Sequence, residues 1–333
     1  MPNELRVKDA GWDADRAAMS PALVGRFAPS PTGRMHAGNI FASLVSYIVA
    51  RRSGGHVVLR IEDLDPERSR KHYIDAILRD YDLLGLEWEG DVVYQSERGD
   101  AYEEAFQRIR EQARVYECYC TRADLHAASA PHRGEKAVYP GTCRNLTAEE
   151  RAAREASGRP GAIRVQVPSV KVELEDLFQG HYEQVLSQDC GDFILKRNDG
   201  AFAYQLAVVV DDAAQGVTSV VRGVDLLSST PQQMYLQRLL NLPIPAYGHI
   251  PLLVAEKDRR LSKRDVDAGL EELLARFGTA ERILGHIAHV AGMVDEEAPL
   301  SAEELVRYAD LGPLARRIQI QYANPADGEM ALA

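Results

Sequence analysis

The chain has 333 residues, of which 45% are hydrophobic and 27% charged, and its formal net charge is −11 at pH 7. These values are typical of a globular protein with room for two domains, and the acidic total excludes a generally basic nucleic-acid binder but not a local basic groove. No apolar run approaches the length of a membrane span and the first twenty residues lack a signal-peptide pattern, so we expect a cytoplasmic protein with no membrane partner. The four cysteines then predict reduced thiols or metal ligands instead of disulfides.

The first clear elements are a strand, a loop and a helix, after an extension over residues 1–22 that has no periodic pattern. Val24 to Ala28 indicates a short strand, and the loop that follows it is rich in proline and glycine. His36 to Asn39 opens a helix that continues into an apolar run. The first N–H groups of a helix have no intrahelical partner and carry the positive end of its dipole, so this start suits a phosphate. The alternative is an ordinary strand-to-helix turn.

A second strand carries acidic residues at its carboxyl end. His56 to Glu62 reads as a buried parallel strand, and ligands of open α/β sheets bind at this end of their strands. Glu62 is the candidate for function, whereas Asp63 and Asp65 fit an acidic cap of the next helix equally well. The α/β alternation continues with a short strand, Val92 to Gln95, between helices over Lys71–Leu84 and Asp100–Ala113.

Residues 116–190 predict an insertion of different texture, which contains all four cysteines, three of them within residues 118–143. Cys118 and Cys120 are one residue apart, and Cys143 follows Tyr139 at a spacing of four. A structural zinc with four ligands would stabilise such a loop-rich segment, but buried thiols explain the cysteines as well. From residue types alone, His126 or His132 is the more usual fourth ligand. A capping box, Thr147-x-x-Glu150, then opens a helix.

Strands are predicted again after the capping box, and the second half of the sheet begins at residue 191. Strands are expected over Ala162–Val167 and Asp192–Lys196, with a turn at residues 198–200 before a further strand, Ala201–Tyr204. Tyr204 then opens a helix, and another strand is expected over Val217–Arg222, before a helix over Pro231–Leu240. Arg222 therefore sits at a strand end, where it either binds a ligand or forms a salt bridge with Asp225 or Asp212.

A cationic loop and a helical segment complete the chain. Arg259-Arg260-Leu261-Ser262-Lys263-Arg264 follows a predicted strand, His249–Ala255, and such a run is commonly only a solvated face. Together with the helix start at His36, it predicts a phosphate clamp. Helices are expected over Gly269–Phe277, Thr279–Val294 and Ser301–Tyr308, which form a small helical domain.

These motifs resemble those of a known family. APSPTGRMHAGN is similar to the HIGH region of class I aminoacyl-tRNA synthetases, and RRLSKR is similar to their KMSKS loop. RFAPSPTG and RIEDLDPERSR resemble the glutamyl branch, and Cys-x-Cys with Tyr-x-x-x-Cys resembles the zinc pattern of glutamyl-queuosine tRNA(Asp) synthetases, the short paralogues of glutamyl-tRNA synthetase. Ala37, Asn39 and several positions of the cationic loop depart from the consensus, whereas His36, Gly38, Ser262 and Lys263 remain.

The resemblance implies a fold, a chemistry and a set of site residues. The fold is a Rossmann-like catalytic domain (residues 23–115 and 191–265), interrupted by a zinc-binding insertion (116–190) and followed by a helical domain (266–333). The chemistry is ATP-dependent formation of glutamyl-adenylate, with magnesium bound alongside ATP. The implied catalytic residues are His36 and Lys263, and ATP is bound by His36, Gly38, Asn39, Ser262 and Lys263. L-Glutamate is bound by Arg26, Ala28, Ser30, Glu62, Tyr204 and Arg222, and one structural zinc by Cys118, Cys120, Tyr139 and Cys143.

The acceptor of the activated glutamate is the remaining question. The helical residues after Asp265 are few for an anticodon-binding domain, so we expect transfer to queuosine in the anticodon of tRNA(Asp), with Arg259, Arg260 and Arg264 as a local basic cluster for the tRNA. One alternative is the catalytic core of a truncated glutamyl-tRNA synthetase that charges tRNA(Glu). Another is a catalytically silent paralogue that binds tRNA.

Overall fold

The computed structural model describes residues 22–121, 124, 138–255, 259–260 and 269–322. Helices and strands alternate through most of this range, as the sequence predicts for an α/β protein. The helices are α1 (Ala37–Arg52), α2 (Lys71–Leu83), α3 (Gly99–Gln112), α4 (Ala148–Ala156), α5 (Leu186–Asp189), α6 (Tyr204–Ala214), α7 (Thr230–Leu239), α8 (Leu270–Phe277), α9 (Ala280–Val290) and α10 (Ala302–Tyr308). In this part of the chain, no helix has the length and apolar character needed to cross a bilayer.

The strands form one central parallel arrangement and several smaller sheets. They are β1 (Val24–Phe27), β2 (His56–Ile61), β3 (Val93–Tyr94), β4 (Val115–Cys118), β5 (Ala162–Val165), β6 (Lys171–Asp176), β7 (Gly180–Val185), β8 (Phe193–Lys196), β9 (Ser219–Gly223), β10 (Ala246–Ile250), β11 (Leu252–Ala255), β12 (Arg259–Arg260) and β13 (Gln319–Gln321).

The central arrangement brings the two halves of the chain together at β1. Strands β1, β2 and β3 pair in parallel, and so do β9 and β10. Thr218 joins the two groups: its N–H donates to the Val24 carbonyl at 2.9 Å, and the Val24 N–H donates to its Oγ1 at 2.8 Å. The spatial order is therefore β3, β2, β1, β9, β10. Strand order reverses between β1 and β9, and in open α/β folds this is where ligands bind, at the carboxyl ends of the strands.

Helix α1 packs behind this crevice and organises the core. Of its 16 residues, 11 are buried, so the helix is apolar on nearly all sides and packs against β1, β2, β9, α9 and α10. Its last residue, Arg52, donates from Nε to the Val306 carbonyl at 2.6 Å and also contacts the carbonyls of Leu305 and Ala309. The start of α1 is thereby left at the crevice while its end is fixed to α10.

The segment between α3 and α6 and the carboxyl-terminal helices both pack against the parallel arrangement. Strands β4, β5 and β8 form an antiparallel sheet, and β6 and β7 form a hairpin that reaches β10, where the Leu177 N–H donates to the Tyr247 carbonyl at 2.9 Å. Apolar residues of α8, α9 and α10 belong to the same buried cluster as those of α1. The domain boundaries proposed from the sequence stay predictions.

The structure corrects the predicted elements at four places. The strand expected over His249–Ala255 is two strands in different sheets, because Pro251 lies between β10 and β11 and has no N–H for a ladder. The strand expected over Ala201–Tyr204 is only an isolated bridge at Phe202, since Tyr204 already begins α6. The β6–β7 hairpin and the short strand β13, which pairs with β11, were not predicted.

Gly285 offers a test of the packing between α9 and the segment before α10. A Cβ on this buried helical residue would lie 1.7 Å from the carbonyl oxygen of Ala298, a backbone atom that cannot swing away. We expect Gly285→Ala to lower the free energy of unfolding by about 1–3 kcal/mol or more, although alanine is the better helix former. Denaturant unfolding measures this change.

Gly99→Ala is the matched control for that substitution. Gly99 begins α3, and a Cβ there would meet no atom within 4 Å. Its stability should stay at or slightly above that of the wild type. Equal stabilities of the two variants would contradict the close packing at Gly285.

Candidate active site

The start of α1 is shaped by reciprocal hydrogen bonds between His36 and the first helical turn. The His36 Nδ1 accepts from the Gly38 N–H at 3.1 Å, and the Asn39 Oδ1 accepts from the His36 N–H at 3.2 Å. Asn39, one of the departures from the family consensus, thus completes a capping box. A Cβ on Gly38 would lie 3.1 Å from the His36 ring, so glycine keeps the surface beside the ring open.

A cavity of about 320 Å³ lies in front of this helix start, between α1 and the ends of β9 and β10. Three of the predicted ATP-binding residues, His36, Gly38 and Asn39, line it together. The opposite wall comes from Gly223, Asp225 and residues 250–253. The other predicted ATP residues, Ser262 and Lys263, lie outside the described residues.

A second cavity, of about 200 Å³, adjoins the first, and Asn39 lines both. It contains five of the six residues predicted to bind glutamate: Arg26, Ala28, Glu62, Tyr204 and Arg222. The sixth, Ser30, is exposed and does not line it. The structure also adds Tyr81 and Ser43, whose hydroxyl groups are 3.0 Å apart; sequence patterns gave no signal for them beyond their place in amphipathic or apolar helices.

Beneath Arg26 and Glu62 lies a network of buried charges centred on Arg60. The guanidinium of Arg60 is fully buried and is 2.9 Å from Asp212 Oδ1 and 3.4 Å from Glu62 Oε1. Arg26 shares the same Asp212 oxygen at 3.1 Å, and Asp211 approaches Arg60 at 3.7 Å. Sequence reasoning missed Arg60 and Asp211, because Arg60 and the two aspartates that approach it are more than a hundred positions apart in the chain.

The network sets the protonation behaviour of Glu62. Burial raises the pKa of Glu62, and the positive charges of Arg60 and Arg26 offset part of that rise. Its side chain is 12% exposed and lines the smaller cavity, so the carboxylate remains reachable by a ligand. Glu62 therefore titrates above the range of an ordinary glutamate while it is fixed against a permanent cation.

Arg222 differs from Arg26 and Arg60 in having only neutral partners. Its Nε donates to His249 Nε2 at 3.0 Å, one terminal nitrogen donates to Thr230 Oγ1 at 2.7 Å, and the other donates to the Tyr204 hydroxyl at 3.3 Å. Neither Asp225 nor Asp212, the two candidates from the sequence, pairs with it, and no other carboxylate of the described chain lies within ion-pair distance. The salt-bridge interpretation of Arg222 is therefore wrong, and Asp212 pairs with Arg26 and Arg60.

The cysteines of the insertion converge as a possible metal site. The Sγ atoms of Cys118, Cys120 and Cys143 lie within 4.8 Å of one another. The Tyr139 hydroxyl is 3.3 Å from Cys118 Sγ and 3.9 Å from Cys120 Sγ. Zinc–sulfur bonds of about 2.3 Å in a tetrahedron require sulfurs roughly 3.8 Å apart, and Cys120 and Cys143 are 3.5 Å apart, so the donor set fits one zinc ion.

The burial of the thiols and the backbone around them also suit a bound metal ion. Burial and the adjacent Cys143 raise the pKa of Cys120 to about 12, and a bound divalent cation would supply the charge that ionises such a thiol. Gly191 forms an isolated β-bridge with Tyr139, and its φ is +65°. A Cβ at this position would lie 2.8 Å from the Tyr139 carbonyl oxygen, so glycine allows the two backbones to approach closely. Cys190 is not part of the cluster, while His126 and His132 lie outside the described residues.

A second group of potential ligands is already occupied by a lysine. Glu173, His181 and Glu183 come together on the β6–β7 hairpin. Lys171 Nζ lies 2.6 Å from Glu173 and 2.7 Å from Glu183, so an ammonium compensates these carboxylates. We therefore consider only the cysteine cluster as a metal site.

Comparison with known proteins supports the motif-based resemblance. Residues 22–317 match the family model "tRNA synthetases class I (E and Q), catalytic domain". The chain is 45% identical over 305 residues to the glutamyl-Q tRNA(Asp) synthetase of Symbiobacterium thermophilum, an alignment that covers 88% of this chain and 94% of that protein. It is 49% identical over 247 residues to the glutamyl-Q tRNA(Asp) synthetase of Geobacter sulfurreducens, with 74% and 76% covered.

A solved structure agrees at the level of the fold. The glutamate tRNA ligase of Elizabethkingia meningosepticum superimposes with a TM-score of 0.74 at 24% sequence identity, over 90% of this chain and 67% of that one. One conclusion follows from the cleft between β1 and β9, the helix start at His36 and the sequence identities to these relatives. The chain belongs to the class I tRNA synthetases of the E and Q group and, within it, to the family of glutamyl-Q tRNA(Asp) synthetases.

Proposed function

We propose that this protein activates L-glutamate with ATP, without tRNA, and transfers the glutamyl group to queuosine in the anticodon of tRNA(Asp). The observation that carries the first step is the charge of the smaller cavity. Its charged lining residues are two arginines, Arg26 and Arg222, and one acid, Glu62. L-Glutamate carries two carboxylates and one ammonium, so cavity and substrate are complementary in the number and sign of their charges.

The reaction needs no nucleophile from the protein. The α-carboxylate of glutamate attacks the α-phosphate of ATP, a P–O bond forms, and pyrophosphate leaves with the electron pair of the broken bond. The protein has to position the reactants and neutralise developing charge. Because Asn39 lines both cavities, a nucleotide at the start of α1 and an amino acid beside Glu62 would be neighbours.

Each site residue has a proposed part in this arrangement. Arg26 and Arg222 bind carboxylates, Glu62 binds the ammonium, and Tyr204 donates or accepts a hydrogen bond. His36, Gly38 and Asn39 bind ATP at the helix start, where Ser262 and Lys263 would contact the phosphates and magnesium bound with ATP would share their neutralisation. The parts predicted for Ala28 and Ser30 stay predictions.

The proposed acceptor follows from the family to which the chain belongs. The matched relatives are named for glutamyl-Q formation on tRNA(Asp). The cyclopentenediol of queuosine presents a cis-diol much like a terminal ribose, so a class I core can bring its hydroxyl to the adenylate. A cytoplasmic location, expected from the sequence, suits an enzyme that modifies tRNA.

The acceptor is tested by one labelling experiment. Radioactive glutamate and ATP are offered with queuosine-containing tRNA(Asp), with the same tRNA lacking queuosine, and with tRNA(Glu). We expect label on the first tRNA alone, and glutamate-dependent ATP–pyrophosphate exchange when no tRNA is present. Label on tRNA(Glu), or exchange that requires tRNA, would instead favour a glutamyl-tRNA synthetase.

The proposed part of Glu62 predicts a pH dependence. Because burial raises its pKa, the carboxylate is protonated at a higher pH than an ordinary glutamate, and its hold on the ammonium should weaken as pH falls through that pKa. We expect kcat/KM for glutamate in the exchange assay to fall on the acidic side. Glu62→Gln should lower kcat/KM by about 30-fold or more, as expected for losing about 2–5 kcal/mol, and should remove this acidic limb.

The exposed Glu67, from the following loop, provides the control for this experiment. Glu67→Gln should keep both the rate and the acidic limb of the wild type. An acidic limb that persists unchanged in Glu62→Gln would assign the titration to another group.

We further propose that Cys118, Cys120, Tyr139 and Cys143 bind one structural zinc ion. Reduced protein should contain about one zinc per chain by elemental analysis, and Cys143→Ser should lose it. Cys190→Ser is the control, since Cys190 lies outside the cluster and should leave the zinc content unchanged. Zinc-free wild-type protein would return the cysteines to the alternative of packed thiols, and full zinc retention in Tyr139→Phe would exclude the tyrosine as a ligand.

A further inference from the structure

Behind Arg222 lies a row of buried polar groups that the proposed substrate contacts do not use. His249, on β10, is fully buried, with its Nε2 at 3.0 Å from Arg222 Nε. Its other ring nitrogen, Nδ1, is 2.5 Å from Asp176 Oδ2 at the end of β6. The side chain of Asp176 is fully buried as well. Strands β6, β10 and β9 thus contribute a carboxylate, an imidazole and a guanidinium that form a hydrogen-bonded row.

The hydrogen bonds define the protonation of the imidazole. A guanidinium has only donors, so Arg222 donates and His249 Nε2 must be an unprotonated acceptor. The ring proton is then on Nδ1 and is donated to Asp176. The other oxygen of Asp176 accepts three backbone N–H groups, from Phe178 at 3.0 Å, Gln179 at 3.0 Å and His249 at 2.9 Å. The carboxylate is fixed in place, and it holds the ring in one tautomer.

The charges around His249 favour the same neutral state. Burial lowers the pKa of His249, and the positive charge of Arg222 lowers it further, against the opposing effect of Asp176 and Asp225. The Tyr247 ring stacks on the imidazole with centroids 6.2 Å apart and carries no charge, since burial raises its pKa. The imidazole therefore gives Arg222 a strong acceptor without a direct negative charge.

This arrangement contrasts with that of Arg26, the second arginine of the cavity. The Nε of Arg26 lies 3.1 Å from a carboxylate oxygen of Asp212, so much of its charge is compensated inside the protein. The guanidinium of Arg222 is fixed at all three nitrogens, by His249, Thr230 and Tyr204, and none of these acceptors is an anion. Its remaining N–H groups and its charge are available to a ligand.

We propose that His249 and Asp176 are positioning residues that hold Arg222 in a fixed orientation and leave its positive charge uncompensated for a carboxylate of the amino-acid substrate. The inference rests on the proposed function, which assigns glutamate to this cavity. The His249 ring lies between Asp176 and the guanidinium of Arg222. Asp176 therefore contacts the ring and selects its tautomer, but it does not pair with Arg222. A carboxylate in the place of His249 would instead compete with the substrate for the same cation.

Two substitutions at His249 separate its two hydrogen bonds. The amide of Asn reaches roughly the position of Nδ1 and can donate to Asp176, but it offers Arg222 no acceptor. The amide oxygen of Gln reaches roughly the position of Nε2 and can accept from Arg222. We expect His249→Asn to raise KM for glutamate in ATP–pyrophosphate exchange by about 10- to 100-fold, the range typical of lost outer-sphere partners, with KM for ATP unchanged. His249→Gln should restore most of the glutamate affinity.

Asp176→Asn tests the tautomer from the other side. An amide can donate to Nδ1, which moves the ring proton to Nε2, where it faces the Arg222 donor. We expect a rise in KM for glutamate like that of His249→Asn. In wild-type protein, ¹⁵N NMR of the histidine side chains should show Nε2 of His249 unprotonated at neutral pH. His286→Asn is the control for substituting a buried histidine, since His286 lines neither cavity, and its KM values should stay those of the wild type.

Three results would overturn the inference. They are an unchanged KM for glutamate in His249→Asn, equal impairment of folded His249→Gln and His249→Asn, and a protonated Nε2 in the wild-type NMR spectrum. Failure of the proposed function is a separate outcome, because it would appear as absent glutamate-dependent exchange in the wild type. In that case the NMR measurement still decides between the two tautomers, and a protonated Nε2 would overturn the arrangement on its own.

Discussion

Three arginines in and beneath the cleft are almost completely removed from water, and the partners that each of them requires constrain the rest of the site. Arg60 is 0% exposed, Arg222 5% and Arg26 6%. A buried charge without a partner costs several kcal/mol, so Arg60 is surrounded by Asp211, Asp212 and Glu62. Removing any one of these carboxylates would leave a buried cation undercompensated. The position and pKa of Glu62 are therefore set by the same network that keeps the cleft folded.

The network also explains how one cleft is built from distant segments. Arg26 and Glu62 come from β1 and the end of β2, whereas Asp211 and Asp212 come from α6, after the insertion. Because β9 lies beside β1, the second half of the chain returns to the first at the switch point, and the ion pairs between α6 and the first half hold them there. The site thus depends on the topology of the whole parallel arrangement, and no local segment contains it.

Much of the fold and of the site was predictable from local sequence patterns. Most of the contacts that the sequence did not predict join residues that are far apart in the chain. The capping residues His36 and Asn39 lie three positions apart, and the cysteines follow a compact spacing, so both clusters could be read from the sequence. The Arg60 network was not, since Arg60 and Asp212 are separated by the entire insertion. The break at Pro251 is a local signal that the length of the apolar run obscured. Strand β13 pairs with β11 across the carboxyl-terminal helices, and its three residues carry no periodic pattern of their own.

Two buried aspartates, each with different partners, connect the predicted insertion to the rest of the chain. Asp192 joins the antiparallel sheet near the cysteines. Its carboxylate accepts hydrogen bonds from the Tyr116 hydroxyl at 2.6 Å and from the Val167 N–H at 3.0 Å. Its backbone carbonyl accepts from Arg164, whose guanidinium lies 3.9 Å from the centroid of the Tyr139 ring. Asp176 instead reaches β10 and, through His249, Arg222. A metal at the cysteines would therefore stabilise the antiparallel sheet around Asp192, whereas the proposed orientation of Arg222 depends on the hairpin that carries Asp176. Different residues therefore connect the cysteine cluster and the amino-acid cavity to the rest of the chain.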